Sequence, residues 1–303
     1  MAIQWFPGHM HTTRKAMLER LPDIDVVIEL LDARLPGSSA NPLLAEMTAG
    51  KPALKVLNKQ DIADPAITAQ WLAHYQARPG TNAIGLDASV TAPARALVTE
   101  CRALVPNRGG MVKPIRVMIC GVPNVGKSTL VNTLNGKRSA KTGDEAGITK
   151  MEQRIALATD LYLFDTPGML WPRIVVEEAG YNLAASGAVG RNAYDEEVVA
   201  HALLARVRHR FADRLATRYK LDDFTALTDD ELLLEIGRKR GGLRAGGHID
   251  LQKAAEVALN DFRSGAWGPV SLETPDDFAT WLAATAEAEE ARAAKKAAGR
   301  KRR

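Results

Sequence analysis

Short apolar runs alternate with amphipathic stretches through the first half of the chain. Runs at 25–31, 53–58, 82–86 and 115–120 have strand length, and each ends in a polar or glycine-bearing loop. Helical patterns separate them at 42–48, 65–77, 92–105 and 127–135, and further strands are expected at 152–157 and 160–164. Fully apolar strands alternating with amphipathic helices predict an α/β unit, a mostly parallel sheet covered on both faces. From about residue 177 the pattern changes to helices at 177–188, 195–218, 229–237, 248–262 and 276–296. Glycine pairs at Gly241-Gly242 and Gly246-Gly247 mark loops between them. The stretch 106–114, PNRGGMVKP, has the composition of a surface linker.

The 303 residues are about twice a usual domain length. The patterning divides them into an α/β domain over 1–180, a smaller all-α domain over 181–290, and a basic tail over 291–303 expected to be disordered. The tail, ARAAKKAAGRKRR, changes the reading of charge. The net of +4 includes its seven Lys or Arg, and without them the body carries −3. Two readings of the tail stand open, contact with nucleic-acid phosphates or solvated disorder. Only Cys101 and Cys120 occur, without a Cys/His cluster, which argues against a disulfide framework or structural zinc. No apolar run approaches the ~18 residues of a membrane span, and the opening lacks a signal-peptide core. A reducing, cytoplasmic setting without membrane contact is therefore expected.

The strand at 115–120 leads into Gly121-Val122-Pro123-Asn124-Val125-Gly126-Lys127-Ser128-Thr129, a GxxxxGKS/T loop that opens a helix. Glycines at such a turn let successive N–H groups and the helix N-terminus face an anion. Lys127 is placed to reach β and γ phosphates, and the Ser128 hydroxyl to ligate Mg²⁺. Asp165-Thr166-Pro167-Gly168 follows another strand, with Asp165 a candidate Mg²⁺ partner through water and the Gly168 N–H directed to a γ-phosphate. Thr149, after Gly147 and Ile148, is the candidate switch-loop Mg²⁺ ligand.

Asn58-Lys59-Gln60-Asp61 follows the strand at 53–58. One carboxylate at Asp61 accepts both the N1–H and the 2-amino protons of guanine. Adenine lacks that donor pair, leaving the carboxylate unsatisfied at about 1–3 kcal/mol. Lys59 has a stem to lie along the base, and Asn58 can tie this loop to the phosphate loop. Asp87-Ala88-Ser89, after the strand at 82–86, offers backbone N–H groups to guanine O6, or is simply a loop with a helix cap. The chemistry points to GTP and GDP. The order is unusual, because NKxD precedes the phosphate loop. Ligand loops gather at the carboxyl ends of parallel strands whatever order the chain visits them. The order therefore fits a circular permutation of a P-loop GTPase domain, closed by the linker at 106–114. The chain after Asp165–Gly168 then runs straight into the helical half, a direct route for reporting nucleotide state.

These motifs, with the opening Gln4-Trp5-Phe6-Pro7-Gly8-His9-Met10, Asp32-Ala33-Arg34-Leu35-Pro36, Ser38-Ser39, Asn41-Pro42 and Gly246-Gly247, resemble the YlqF/RbgA family of circularly permuted ribosome biogenesis GTPases. The resemblance implies a cytoplasmic or organellar GTPase that helps late assembly of the large (50S) ribosomal subunit and binds ribosomal RNA through its helical domain. A monomer is the accompanying expectation. Where many GTPases place a water-orienting Gln, this chain has Met169 and Leu170. The resemblance points instead to His9, on a flexible Pro-Gly segment, as the catalytic residue beside Lys127; a packed N-terminal plug is the other reading. Asn124 resembles an asparagine that binds K⁺ in some GTPases, or it stabilises the loop. A GTPase of another RNA pathway, such as small-subunit maturation or tRNA modification, and a GTP-dependent scaffold without turnover remain alternatives.

The remaining basic groups divide by context. Arg14, Lys15, Arg20, Lys137, Arg138 and Lys141 read as solvated faces with RNA contact as the alternative. Arg238-Lys239-Arg240-Gly241-Gly242-Leu243-Arg244 with His248 matches a phosphate-gripping loop. Trp267 and Trp281 read as core anchors, and Asp32 with Arg34 as a salt bridge.

Overall fold

The computed structural model describes residues 3–110, 112–136, 153–240, 242 and 248–300. The expectations for Lys137, Arg138, Lys141, Thr149, Gly241, Leu243, Arg244, Gly246 and Gly247 lie outside the described residues. The chain opens with helix α1 (Gly8–Arg20), strand β1 (Val26–Asp32), the short helices α2 (Pro36–Ser39) and α3 (Pro42–Met47), and β2 (Ala53–Asn58). It continues through α4 (Pro65–Gln76), β3 (Thr81–Leu86), α5 (Thr91–Leu104), β4 (Ile115–Cys120), α6 (Lys127–Asn135), β5 (Gln153–Ala158) and β6 (Leu161–Asp165). Helices α7 (Glu177–Ser186), α8 (Glu196–Arg210), α9 (Ala212–Tyr219), α10 (Asp229–Lys239), α11 (Leu251–Ser264) and α12 (Pro275–Arg300) complete it.

Every residue of β1 is buried, the signature of a strand flanked on both sides and covered on both faces. The six strands lie in the order β3-β2-β1-β4-β6-β5. All pairs are parallel except the hairpin β5–β6. The chain winds outward from β1 through β2 to β3, then returns to the far side of β1 with β4. A crevice therefore opens at the carboxyl ends of β1 and β4, the place where parallel sheets hold ligands.

Three sequence expectations change. The opening segment is helix α1 rather than a flexible Pro-Gly stretch, because Met10, Thr13 and Met17 recur on one buried face. The helix expected over 195–218 is interrupted at Phe211, whose φ of −132° and ψ of 39° leave the helical region so that its buried ring turns inward. The expected disordered tail is helical through Arg300. Its alanines carry the highest intrinsic helix propensity, which extends α12.

The two halves share one core. The segment after α11 returns to the sheet layer, with the Val270 N–H donating to Ile62 O at 3.1 Å and the Leu272 N–H to Arg34 O at 2.7 Å. Glu273 is fully buried there. Its carboxylate accepts from the Ser38 N–H at 2.7 Å, the Ser38 hydroxyl and Asn182 Nδ2 at 2.9 Å. One side chain thus joins the loop after β1, helix α7 and the C-terminal segment. The Trp71 indole N–H donates to its carbonyl at 3.0 Å.

Burial raises the Glu273 pKa from 4.5 to about 7 against those hydrogen bonds. Between these values the folded chain retains a proton that the unfolded chain has released, so stability falls as pH rises through that window, by roughly 3 kcal/mol. Denaturant unfolding of the protein and of Glu273→Gln should give a stability difference that shifts by about that amount between the two ends of the window. A difference constant across pH would show that Glu273 titrates as an ordinary carboxyl.

Candidate nucleotide site

Five loops meet at the carboxyl edge of the sheet, and Asn58, the last residue of β2, ties three of them. Its Nδ2 donates to Val125 O of the phosphate loop at 2.7 Å, and its Oδ1 accepts the Ala88 N–H at 2.8 Å. Its own carbonyl accepts the Ala33 N–H at 2.8 Å. The NKxD, phosphate and Asp87–Ser89 loops are therefore held by both ends of one buried amide. Gly126 sits against this amide with φ of 100°, and a Cβ there would collide with Asn58 Nδ2. Both the left-handed conformation and the close approach require glycine.

Lys59 takes a left-handed φ of 63° and crosses to the phosphate loop, donating to Asn124 O at 3.0 Å and to Asp32 Oδ2 at 2.9 Å. Its ammonium spans two loops, and its stem forms the bridge between them. Asp32 also receives a forked pair from Arg34, at 2.9 and 2.7 Å. Burial opposes ionisation of Asp32, but Arg34 and Lys59 hold it well below the usual carboxylate range. Arg34 donates to Phe262 O at 2.6 Å and lies 4.3 Å above the Phe262 ring, which anchors α11 to the site. Asp32 and Arg34 thus form the expected salt bridge, and Lys59 extends it. Gln60 and Asp61 occupy a short 3₁₀ turn with exposed side chains, so Asp61 faces solvent at the mouth of the crevice.

On the opposite wall, Lys127 is buried and donates to Gly121 O at 3.0 Å and Val122 O at 2.7 Å. Burial lowers its pKa to about 8, and Asp165 opposes that shift. The two carbonyls occupy the ammonium that phosphate oxygens would otherwise engage. Val125 is buried, and Ser128 and Thr129 lie in the first turn of α6.

Asp165 ends β6 with both carboxylate oxygens buried and, among the described residues, without a partner at hydrogen-bond geometry. Burial raises its pKa to about 6, partly offset by Lys127. A buried carboxylate that interacts with Lys127, the neighbour of the Ser128 hydroxyl in the first turn of α6, fits a hard divalent cation such as Mg²⁺. Among the described residues no three His, Cys, Asp or Glu side chains form a cage. Such an ion would thus lean on nucleotide oxygens and water, as Mg²⁺ commonly does in phosphate sites.

The Asp165–Gly168 loop is fastened to the phosphate loop. Thr166 Oγ1 donates to Ile119 O at 2.8 Å and the Met169 N–H to Gly121 O at 3.1 Å. A Cβ on Gly168 would lie 2.8 Å from Pro123 Cα. Met169 is buried, and its carbonyl accepts from Asn41 Nδ2 at 2.7 Å. Met10 Sδ accepts the Leu170 N–H at 3.4 Å, so α1 rests directly on this segment. His9, the neighbour of Met10, is exposed, with its ring edge-on to Trp5 at 6.4 Å.

Two expected contacts look different in place. The Ala88 and Ser89 N–H groups are engaged within the protein, by Asn58 Oδ1 and by Asp87 Oδ1 at 2.8 Å each. A guanine O6 would share or displace them. Asn124, with a left-handed φ of 59°, directs its amide nitrogen to Gly187 O at 2.7 Å, at the carboxyl end of α7. Sequence reasoning missed that link and the Asn58–Ala88 bond. Neither leaves a pattern in the chain, because the partners are backbone atoms far away in sequence.

Residues 116–224 match the family described as 50S ribosome-binding GTPase. The match begins at β4, and the base-reading loop lies ahead of it, as a permuted chain requires. The chain is 41% identical to Ribosome biogenesis GTPase A of Bacillus cereus over 92% of its own length and 96% of the relative's. It is 33% identical to Mitochondrial ribosome-associated GTPase 1 of Mus musculus, over 89% of this chain and 90% of that one. The solved structure of GDP-bound YlqF from Thermotoga maritima superposes with a TM-score of 0.61 at 25% identity, covering 86% of this chain and all of that one. The GNP-bound form gives 0.60 at 25%, covering 88% and 99%.

Asn58→Ala removes the donor to Val125 O and the acceptor of the Ala88 N–H together. It should weaken guanine-nucleotide binding at least tenfold and lower stability by about 1–3 kcal/mol. Fluorescent-nucleotide titration and chemical denaturation measure the two effects. Wild-type affinity in the variant would show that the loops hold their places without this amide.

Proposed function

The chain belongs to the ribosome biogenesis GTPase A family, and from that premise we propose that it is a switch for late assembly of the large ribosomal subunit, bound in the GTP state and released after hydrolysis. GTP binding and hydrolysis in ribosome biogenesis belong to the family. The large subunit as partner draws support from the matched family's description as 50S ribosome-binding GTPase. What supports the switch reading is the Asn58 amide, which bonds the loop carrying the exposed Asp61 to the phosphate loop.

In this reading Asp61 accepts the two guanine donors, and Lys59 lines the base. Lys127 exchanges Gly121 O and Val122 O for β and γ phosphate oxygens, and the loop amides and α6 N-terminus add positive potential. Asp165 and Ser128, with Thr149, would hold Mg²⁺ directly or through water. The ion would supply positive charge to the phosphates. The Gly168 N–H meets the γ-phosphate. Met169, buried and apolar, cannot orient the attacking water, so basal turnover is slow. His9 is the residue assigned to that task, carried by a helix that touches Leu170 through Met10. Asn124 is retained as a candidate K⁺ ligand through its side-chain oxygen.

Asp61→Asn should lose about ten- to a hundredfold in GTP affinity and gain binding of xanthosine triphosphate, as read by competition titration. Retained tight GTP binding in that variant refutes the base-reading role. His9→Ala should keep basal binding and hydrolysis of GTP but lose the stimulation given by purified large-subunit precursors. Stimulation equal to wild type would leave His9 structural. Absence of stimulation and of co-sedimentation for the wild-type protein would sink the large-subunit reading itself.

A further inference from the structure

The sheet has one flank that helices leave open among the described residues. On β4, β6 and β5 the register places Arg116 beside Tyr162, Met118 beside Phe164, Phe164 beside Arg154 and Tyr162 beside Ala156. Neighbours in register share a face. Arg116, Arg154 and Ala156 are exposed and Tyr162 is half-buried, whereas Ile155, which points the other way, is buried. Helix α1 covers only the inner margin of this face, where Arg20 lies 5.0 Å from the Phe164 ring centre. What remains is an open groove of about 530 Å³ bordered by Arg20, Asp23, Arg116, Arg154, Tyr162 and Phe164.

The charge of this groove is opposite to that of the protein around it. Among the described residues three guanidiniums and one carboxylate border it, while the chain apart from its basic end carries a net −3. The Arg116–Asp23 pair is loose, at 3.3 Å with both side chains about half exposed. Such pairs contribute little and yield readily to a stronger anion. Arg154 lies over the Tyr162 ring, 5.1 Å from its centre, a cation–aromatic contact on an open sheet face. Aromatic rings and guanidinium planes on a sheet are the surfaces on which unpaired bases stack, while adjacent arginines hold the phosphates. An acidic peptide would use the charges but has no need of the half-buried Tyr162 ring.

We infer that the open face of β4–β6–β5 binds a single-stranded RNA segment, with Arg116 and Arg154 on its phosphates and Tyr162 stacking a base. Arg116 and Tyr162 lie near the amino ends of β4 and β6, whereas Arg154 pairs with Phe164 next to Asp165, so the site runs along the open face from the amino ends toward the edge that carries the nucleotide loops. The inference builds on the ribosomal reading above and adds a contact outside the helical half.

Anisotropy titrations of the full chain with a short labelled oligouridylate, repeated across salt concentrations, test it. The exposed double variant Arg116→Ala/Arg154→Ala should fold, hydrolyse GTP at the basal rate, and lose about 1.4 from the slope of log affinity against log salt, two contacts at about 0.7 each. Tyr162→Leu should bind roughly tenfold more weakly with the slope unchanged. Arg154→Lys should keep the slope and lose part of the affinity. An unchanged slope and affinity in the double variant overturns the site. So does a loss confined to duplex RNA, or to intact ribosomal particles while protein-free RNA still binds normally. Wild-type protein that binds the oligouridylate through these residues yet ignores large-subunit precursors would refute the ribosomal reading and keep this one.

Discussion

The nucleotide site depends on a single buried amide with both of its ends committed. Asn58 donates to the phosphate loop and accepts from the loop after β3, while its backbone carbonyl holds the start of the loop after β1. These segments are separated by tens of residues, and no covalent link brings them together on this side of the sheet. A hydrogen-bonded amide contributes little net stability when satisfied but leaves costly orphans when one end is lost. That asymmetry makes the geometry of three loops a shared property. It also sets the composition of Gly126, where any side chain would occupy the space of the Asn58 nitrogen.

Chain order determines what lies on either side of this amide. Because the phosphate-loop strand comes fourth, the segment leaving Gly168 is free to run into α7 instead of returning to the sheet. The carbonyls at the carboxyl end of α7 are then divided between the two halves. Gly187 O accepts from Asn124 in the phosphate loop, and Ala184 O and Ala185 O accept from Arg263 of α11, at 3.0 and 2.9 Å. At its other end the same segment is gripped by the amino terminus, where the Gln4 amide exchanges two hydrogen bonds of 3.1 Å with Ile174. A displacement at the phosphate loop therefore meets the helical half at the Asn124 side chain and through the Lys59–Asp32–Arg34 chain that reaches Phe262. A packed element of this kind moves as a unit or not at all.

Much of this was legible in the chain, for identifiable reasons. The sheet strands are buried on both faces and so stand out as short apolar runs. The phosphate, NKxD and Asp-Thr-Pro-Gly loops are dictated by ligand chemistry rather than by tertiary context, and their residue types cannot drift far. Helix α1 was hidden because only Met10, Thr13 and Met17 mark its buried face, and the Pro7-Gly8 opening imitates a loop. The interruption at Phe211 carries no glycine or proline, since packing of the ring produces it. Glu273 was silent as well. A lone glutamate in a polar stretch signals nothing until folding surrounds it with Ser38 and Asn182.

The residue after Gly168 shows how local packing constrains chemistry. A side chain that orients water must carry a polar group and have room to turn toward the γ-phosphate. Met169 has neither. It is buried, its N–H is fixed to Gly121 O, and its carbonyl is fixed by Asn41. Replacing it with a polar residue would bury an unsatisfied group at about 1–3 kcal/mol, so the position is closed to catalysis by the core itself. On the function proposed above, the orienting group comes from a surface next to this segment. Helix α1 meets that requirement, because Met10 contacts Leu170 while the adjacent His9 stays in solvent. An exposed group of this kind is set by whatever docks against it. On the function proposed above, the same packing makes turnover answerable to a partner.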